Sequence, residues 1–211
     1  MVFLFTSIYI MTKYEQTLVL IKHDGVSRGL IGDIISRFER VGLKIVGMKL
    51  VVPSIDVATK HYPSSEEWLL NVGNRVIEEY TANGVDIKKA FNTLDPKKIG
   101  EVIKSWNVEY LTFGPVVAII LEGPGSVKLV RKMVGTTNPS ESAPGTIRGD
   151  YTWDSGEVSN KHNRPFYNLI HASSSVADAK IEINLWFIKS EIAEYELSKH
   201  SSMGWSGKLK K

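Results

Sequence analysis

The sequence predicts an α+β fold in which helices cover an antiparallel sheet. Apolar residues alternate or run continuously in some segments, as in strands, and recur at three- and four-residue spacing in others, as in helices. The order is strand, helix, strand, strand, helix, a further short strand and helix, which suits a sheet layered with helices. The spacing of apolar residues leaves the order of the strands within the sheet open.

The first half of this pattern is an apolar strand, a helix and an alternating strand. Residues 17–22 (TLVLIK) are typical of a buried strand. Residues 26–40 predict a helix that ends before Gly42, and its apolar face is formed by Leu30, Ile31, Ile34, Ile35 and Phe38. Residues 44–52 alternate between apolar and other residues, which predicts a second strand.

The second half supplies another buried strand and two helices. Residues 116–121 (VVAIIL) predict the strand, and residues 126–134 predict a short helix that ends at a glycine. Near the end of the pattern, either Ser174 or Ser175 can cap a helix that runs through Trp186.

Two further segments, residues 63–113 and 152–165, look like insertions in this pattern. The first predicts two helices, one opening with a capping box at Ser64 and one opening at Asp95-Pro96. Their apolar stripes should pack on each other; the stripes are Trp68, Val72, Val76 and Tyr80, and Ile99, Val102, Ile103 and Trp106. The second segment is polar and rich in turn residues, which predicts a surface loop. We expect a single domain over residues 1–211, with extensions at 1–14 and 188–211.

Composition is that of an ordinary soluble globular chain. The 26 basic and 23 acidic residues leave a net charge of +3, and the basic cluster Lys208–Lys211 is terminal, so a nucleic-acid partner is not indicated. The absence of cysteine fits a cytoplasmic location. The apolar residues 1–11 are too short to span a bilayer, so no membrane association is expected. They either pack as an extra strand or arm, or precede a true start at Met11.

The segment N-L-I-H-A-S-S-S at residues 168–175 carries the main chemical signal. His171 stands among an amide and small hydroxyl residues just before a predicted helix, where a neutral imidazole can act as a nucleophile toward a phosphoryl group. The alternative is a hydrogen-bonded structural histidine, the more common role of a single histidine. That alternative applies equally to the other histidines of the chain, which are His23, His61, His162 and His200.

Two other segments could hold phosphate. Lys22 ends the first strand ahead of Asp24-Gly25, where an ammonium can bind phosphate as a point charge, although Asp-Gly is also a common turn. The turn-rich residues 135–150 can present Thr137 and Arg148, and Arg131 precedes them on a helix. The alternative there is a surface loop with ordinary arginine–aspartate pairs.

Three blocks of the sequence together resemble the nucleoside diphosphate kinase family. They are KHDGVSRGLIGDIISRFERVGLKIVGMKL, GTTNPSESAPGTIRGDY and NLIHASSSVADAKIEINLWF, and the resemblance runs from about residue 15 to residue 187. It implies a ferredoxin-like α+β sandwich with a four-stranded antiparallel sheet and a helical insertion. It also implies reversible transfer of the γ-phosphate from a nucleoside triphosphate to a nucleoside diphosphate.

The resemblance assigns roles residue by residue. His171 looks like the phosphorylated nucleophile, and Glu182 like the glutamate that orients its ring. Lys22, Arg131, Thr137 and Arg148 match residues that hold phosphates. Asn168 matches a ribose contact, and Tyr62 and Ser173 match residues that support the site. Trp68 is a candidate for stacking on the nucleobase, and Pro165 and Phe166 stand near the other side of that clamp.

These roles imply a two-step, ping-pong reaction. A free imidazole has a pKa near about 6.5, so it is mostly unprotonated at neutral pH and needs no general base. Mg²⁺ carried by the nucleotide phosphates would neutralise charge, without an assigned protein ligand. The family resemblance also suggests a homohexamer.

Three residues depart from the family pattern. His23 replaces a proline, Ala172 a glycine and Ser174 an aspartate, and none of them is the nucleophile. The alternative function is therefore a catalytically silent nucleotide- or nucleic-acid-binding protein on the same scaffold. Retention of His171 and Glu182 argues against that alternative.

Overall fold

The computed structural model describes residues 14–197, so the apolar residues 1–11 and the basic cluster 208–211 lie outside the described residues. Its strands are β1 (Tyr14–Ile21), β2 (Lys44–Val51), β3 (Val116–Pro124) and β4 (Ile170–Ala172). Its α-helices are α1 (His23–Ser27), α2 (Ile31–Arg40), α3 (Ile55–His61), α4 (Glu66–Ala82), α5 (Ile87–Phe91), α6 (Pro96–Thr112), α7 (Ser126–Val134), α8 (Ile147–Tyr151), α9 (Gly156–Lys161) and α10 (Val176–Trp186).

The four strands form one antiparallel sheet in the order β2-β3-β1-β4, which confirms the predicted fold class. Because strand residues point alternately to the two faces, β1 contributes to two cores. Val19 and Ile21 pack with residues of α2, α7 and α8, while Leu18 and Leu20 pack with residues of α3, α6 and α10. Strand β1 is thus buried on both faces, and its C-terminal end lies beside β4.

The predicted helix over residues 26–40 is in fact two helices. Helix α1 ends at Ser27 and α2 begins at Ile31. Gly29 between them has a φ of +70°, a left-handed conformation that glycine adopts without steric cost. Apolar spacing continues across this break, so periodicity alone could not reveal it. The predicted helix at residues 126–134 is confirmed at both ends.

Helices α4 and α6 form a closely packed hairpin, which we call the α4–α6 hairpin. A Cβ atom at Gly73 would lie 1.8 Å from the Pro96 carbonyl oxygen, and one at Gly100 would lie 2.2 Å from that of Leu69. The two glycines therefore let the backbones meet. The predicted packing of the two apolar stripes is confirmed in part, since Val76 and Tyr80 of the first pack with Ile99 and Ile103 of the second. The capping residue of α4 is Ser65, one residue after the predicted Ser64.

The prediction of a surface loop at residues 152–165 was wrong, because α9 occupies part of it. Ser155 caps this helix by accepting a hydrogen bond from the Val158 N–H. Buried Asp154 anchors the segment through contacts of 2.6 and 3.0 Å with the Arg164 guanidinium. The polar residues that indicated a loop thus serve as a cap and an internal ion pair. Among residues 14–197, no helix is both long and apolar enough to cross a bilayer.

Candidate active site

A cavity of about 620 Å³ opens where the end of β1, strand β4 and helices α3, α4, α7 and α10 come together. It gathers nearly all of the residues that the sequence nominated. Those lining it are Lys22, Tyr62, Trp68, Arg131, Thr137, Arg148, Asn168, His171 and Glu182. Ser173 is fully buried behind the cavity wall, where it contacts Glu182.

His171 is held by a chain of hydrogen bonds. It lies in the middle of β4 between the buried residues Ile170 and Ala172. Its Nε2 atom is 3.0 Å from Glu182 Oε1, and the Ser173 hydroxyl donates to Glu182 Oε2 at 2.6 Å. A carboxylate can only accept, so the Nε2 atom of a neutral His171 carries the ring proton. The Nδ1 atom is therefore left with a free lone pair.

Lys22 directly follows β1, and its side chain is buried. Its ammonium donates to Asn168 Oδ1 at 2.8 Å and lies 4.6 Å from the centre of the Tyr110 ring. Burial and the charge of Arg148 together lower the pKa of Lys22 to about 7, although the charge of Asp24 acts in the opposite direction. The lysine is thus poised to take up a proton when an anion binds beside it.

Arg148 is buried and almost fully hydrogen-bonded. Its guanidinium donates to the backbone carbonyl oxygens of Gly135, Thr136, Asn168 and Ile170 at 2.6 to 3.1 Å. An arginine has five N–H bonds, so one remains for a ligand. Burial lowers the pKa of Arg148 to about 10, which leaves it charged at neutral pH. Arg148 therefore ties the loop at Gly135 and Thr136 to β4 and keeps one N–H for a ligand.

Arg131 and Thr137 complete the polar side of the cavity. Both are exposed, and the Arg131 side chain makes no hydrogen bond or ion pair within residues 14–197. The carbonyl oxygen of Thr137 accepts from the Asn168 amide at 3.1 Å, which links this loop to the residue that bonds Lys22. The cavity thus combines a tightly bonded arginine with an unpaired one.

Tyr62 and Trp68 line the opposite side. Burial raises the pKa of the Tyr62 hydroxyl above its ordinary value, and the Glu182 charge adds to this, so the phenol is neutral. Trp68 lies in the first turn of α4 and lines the cavity from the α4–α6 hairpin, as expected from the sequence.

Sequence reasoning missed three residues. The ring of buried His61 packs edge-on against that of His171, with centroids 4.4 Å apart, and Trp186 Nε1 donates to His61 Nδ1 at 3.3 Å. Burial lowers the pKa of His61 well below its ordinary value. Asn107 on α6 also lines the cavity, and its side chain makes no hydrogen bond within the described residues. His61 directly precedes Tyr62, which was the only available signal.

Two of the three departures from the family pattern, His23 and Ser174, have local explanations, and nothing in the structure explains Ala172. His23 Nδ1 lies 3.0 Å from the Tyr110 carbonyl oxygen, and its ring packs on Tyr110 and Phe113. Ser174 bonds Asp178, which lowers the pKa of that carboxyl. Pro165 lines a separate cleft of about 200 Å³ with His23, rather than the main cavity. The expectation that Pro165 borders the nucleobase therefore gains no support from the cavity.

Comparisons with known proteins agree with this geometry. The family model described as nucleoside diphosphate kinase matches residues 15–70 and 97–192, and the unmatched interval lies inside the predicted insertion 63–113. A nucleoside diphosphate kinase of Pyrobaculum aerophilum is 46% identical over 85% of this chain and 98% of its own length. One from Pyrococcus furiosus is 43% identical over 88% of this chain and 90% of its own length.

Two solved structures are similar over most of the chain. An NDP kinase from Pyrobaculum aerophilum has a TM-score of 0.85 at 44% identity, covering 86% of this chain and all of that one. A nucleoside-diphosphate kinase from Borrelia burgdorferi, described as a transition state mimic with bound vanadate and ADP, has a TM-score of 0.71 at 35% identity. It covers 90% of this chain and 96% of its own. These likenesses confirm the ferredoxin-like arrangement that the resemblance implied.

Proposed function

Because the chain belongs to the nucleoside diphosphate kinase family and is a phosphotransferase acting on nucleotides, we propose that its reaction passes through a phosphohistidine on His171. The observation that carries this proposal is the hydrogen bond between His171 Nε2 and Glu182. It leaves Nδ1 as the unprotonated ring nitrogen on a side chain that lines the cavity. The nucleophilic atom is therefore Nδ1.

In the first step, the Nδ1 lone pair attacks the γ-phosphorus of a nucleoside triphosphate. The bond from that phosphorus to the β,γ-bridging oxygen breaks, and its electron pair leaves with the nucleoside diphosphate. The ring becomes positively charged, and Glu182 stabilises that charge through the retained Nε2 proton. In the second step, a β-phosphate oxygen of another nucleoside diphosphate attacks the phosphorus, and the bond to Nδ1 breaks.

Three cationic side chains would bind the phosphates, and each would contribute in a different way. Arg131 has no intramolecular partner in the described part of the chain and is available to a phosphate as a two-pronged donor. Arg148 supplies charge and one N–H while its remaining bonds fix the loop. Lys22 supplies an ammonium when it is protonated. Thr137 provides a hydroxyl from the same loop, and Asn168, which lines the cavity, would contact the ribose in place of Lys22.

Mg²⁺ is part of the proposal as a cation that arrives with the nucleotide. The carboxylates lining the cavity are Asp178 and Glu182, and both already accept hydrogen bonds, the first from serine hydroxyls and the second from His171 and Ser173. This supports coordination by phosphate oxygens and water, with no direct protein ligand. When bound, the cation would neutralise the negative charge of the phosphates.

We also propose that the chain assembles as a homohexamer in the cytoplasm. Met48 and Leu50 are 55% and 63% exposed on β2, which lies at the edge of the sheet, and such a patch favours contact between copies. The lack of cysteine fits a reducing compartment. We infer that the chain is one domain, with the α4–α6 hairpin as an insertion. Mass measurement in solution tests the oligomeric state.

The test of the phosphohistidine is labelling with γ-³²P-ATP. We expect a protein-bound label that is lost in acid and kept in base, is absent from His171→Gln, and is unchanged in His162→Gln, since His162 is exposed and directly follows α9. The label should be discharged by any added nucleoside diphosphate. A chain that binds nucleotide but takes no label would be the silent binding protein instead.

A further inference from the structure

His61, His171 and Glu182 form a cluster of metal-binding groups. One ligand atom from each, a ring nitrogen or a carboxylate oxygen, lies within 4.8 Å of the other two. None of the three is exposed: His61 is buried, and the other two are partly buried. Two imidazoles and one carboxylate are a ligand set that binds Zn²⁺ while leaving a fourth position open to water.

The Nε2 atom of His61 is the second observation that points to a ligand. His61 is only 6% exposed, and Nε2 has no hydrogen-bond partner within residues 14–197. A buried polar atom without a partner is costly, and native proteins seldom retain one without a reason. This atom belongs to a ring that packs directly on the ring of His171.

We propose that His61, His171 and Glu182 bind a divalent transition metal, with Zn²⁺ as the type case, and that the bound metal switches the kinase off. Mg²⁺ would not compete well, because it prefers an octahedron of oxygen ligands to imidazole nitrogens. Zinc–ligand bonds of about 2.0–2.2 Å in a tetrahedron place ligand atoms roughly 3.3 Å apart. His171 Nε2 and Glu182 Oε1 already lie 3.0 Å apart, so only the distances to the His61 nitrogen must shorten, by at most about 1.5 Å.

The bound metal would inhibit the kinase because it changes which ring nitrogen of His171 carries the proton. This part of the inference rests on the proposed function. When the metal takes Nε2, a neutral imidazole can keep its proton only on Nδ1. Nδ1 then has no lone pair to attack phosphorus. The metal also occupies the Glu182 carboxylate, which would otherwise stabilise the charge on the phosphorylated ring. The free enzyme would thus be held in an unreactive tautomer.

The hydrogen bond from Trp186 to His61 opposes metal binding, and this provides a second way to test the proposal. An indole N–H can only donate, so His61 Nδ1 accepts and the proton of the neutral ring sits on Nε2. A metal at Nε2 forces that proton onto Nδ1, where it meets the Trp186 N–H. Removal of this N–H should therefore favour the metal-bound tautomer of His61.

The binding experiment uses the full, tag-free and nucleotide-free chain with Co²⁺ or Zn²⁺ alone. Co²⁺ should give the intense visible absorption of a four-coordinate site, and Zn²⁺ should displace it stoichiometrically. We expect His61→Gln to weaken Zn²⁺ binding at least tenfold, Trp186→Phe to tighten it about threefold, and His162→Gln to leave it unchanged. Equal Zn²⁺ affinity in wild type and His61→Gln overturns the proposal, as does weaker binding in a folded Trp186→Phe.

A labelling experiment separates this inference from the proposed function. Wild type loaded with one equivalent of Zn²⁺ should take at least tenfold less label from γ-³²P-ATP, and a chelator followed by Mg²⁺ should restore it. His61→Gln should resist the same Zn²⁺ treatment. Failure of metal-free wild type to take label would contradict the phosphohistidine while leaving the Co²⁺ spectrum as the test of the site. Full labelling of zinc-loaded wild type would contradict the switch itself.

Discussion

The two ends of the cavity are built in different ways. At the phosphate end, Arg148 is buried and gives most of its N–H bonds to backbone carbonyls, and His171 is fixed through Glu182. At the hairpin end, Trp68 and Asn107 line the cavity from helices that meet through glycines, and the Asn107 side chain has no hydrogen-bond partner among the described residues. At the phosphate end, Arg148 and His171 are held by intramolecular hydrogen bonds before a nucleotide arrives. At the hairpin end, the side chains of Trp68 and Asn107 are available to a ligand.

This difference matches what each end must do. Transfer of a phosphoryl group depends on donors and charges held in place before the reaction, since reorganising them would add to the barrier. Holding a base requires only an apolar face on which it can stack. A change at the phosphate end should therefore affect the rate of transfer, and a change at the hairpin end should affect binding.

Loss of the nucleophile should have the largest effect. We expect His171→Ala to reduce transfer by on the order of 10⁴-fold or more, because no other group accepts the phosphoryl in its place. Nucleotide affinity should stay nearly unchanged, since the phosphates are held by other side chains. Steady-state assays and equilibrium dialysis measure the two quantities. Turnover near the wild-type rate would remove His171 from the mechanism.

Arg148 and Arg131 offer a paired test of structure against binding. Arg148→Ala removes four hydrogen bonds to backbone carbonyl oxygens on two separate segments, and we expect a loss of about 3 kcal/mol or more in the free energy of unfolding, together with weaker binding and transfer. Arg131→Ala should impair transfer while leaving the free energy of unfolding within about 0.5 kcal/mol of wild type. Urea denaturation and initial rates distinguish them. Equal stability of the two variants would contradict the linking role of Arg148.

Glu182→Gln tests whether charge or only hydrogen bonding is needed behind the nucleophile. An amide can accept from His171 Nε2, but it cannot stabilise the positive ring. The lost charge is worth about 1–2 kcal/mol, so phosphorylation should slow roughly 5- to 30-fold with the fold retained. Rapid-quench labelling measures this step directly. A wild-type rate would make Glu182 a structural residue only.

Lys22 should make nucleotide binding depend on pH. In the free protein burial lowers its pKa to about 7, and a bound anionic phosphate should raise it, so binding takes up a proton. Affinity should therefore fall as pH rises from 7.5 to 9, by about tenfold in all. The unfolded chain keeps this proton up to about 10.5, so the contribution of Lys22 to stability should increase between pH 7 and 10.5.

Calorimetry in buffers of different ionisation enthalpy detects the proton uptake. Lys22→Met is the matched control, since it keeps most of the side-chain length without the amine. The variant should bind nucleotide less tightly but with little dependence on pH over the same interval. Persistence of the full pH dependence in Lys22→Met would assign it to another group.

Trp68 should give the smallest effect and one confined to binding. Stacking is worth about 1–3 kcal/mol per base, and the partly exposed Trp68 belongs at the low end, so Trp68→Ala should raise KM about fivefold. The increase should be similar for several nucleotides, because every base has a π-face. Unchanged KM with a lower melting temperature would instead mean that Trp68 only packs within the α4–α6 hairpin.

Much of the fold could be predicted because its signals are local. The apolar run of β1 and the glycine that ends α7 act within a few residues. The structure places α7 at the predicted residues 126–134, whereas β1 begins three residues earlier and ends one residue earlier than predicted. The break between α1 and α2 at Gly29 was not predicted, because the spacing of apolar residues continues through it. Helix α9 was not predicted because its cap, Ser155, and the preceding Asp154 are residue types that are also common in loops. The ion pair between Asp154 and Arg164 forms only in the folded structure.

The sequence by itself determined the chemical groups of the site: a histidine that we propose as the nucleophile, a carboxylate, and cationic side chains. Only the tertiary structure decided how those groups are partnered. Arg148 bonds carbonyls on two separate segments, and Trp186 fixes the tautomer of His61 from 125 residues away. Such contacts depend on the strand order β2-β3-β1-β4, which apolar spacing does not encode. They arise because burial leaves each polar atom to find its partner among whatever the fold brings beside it.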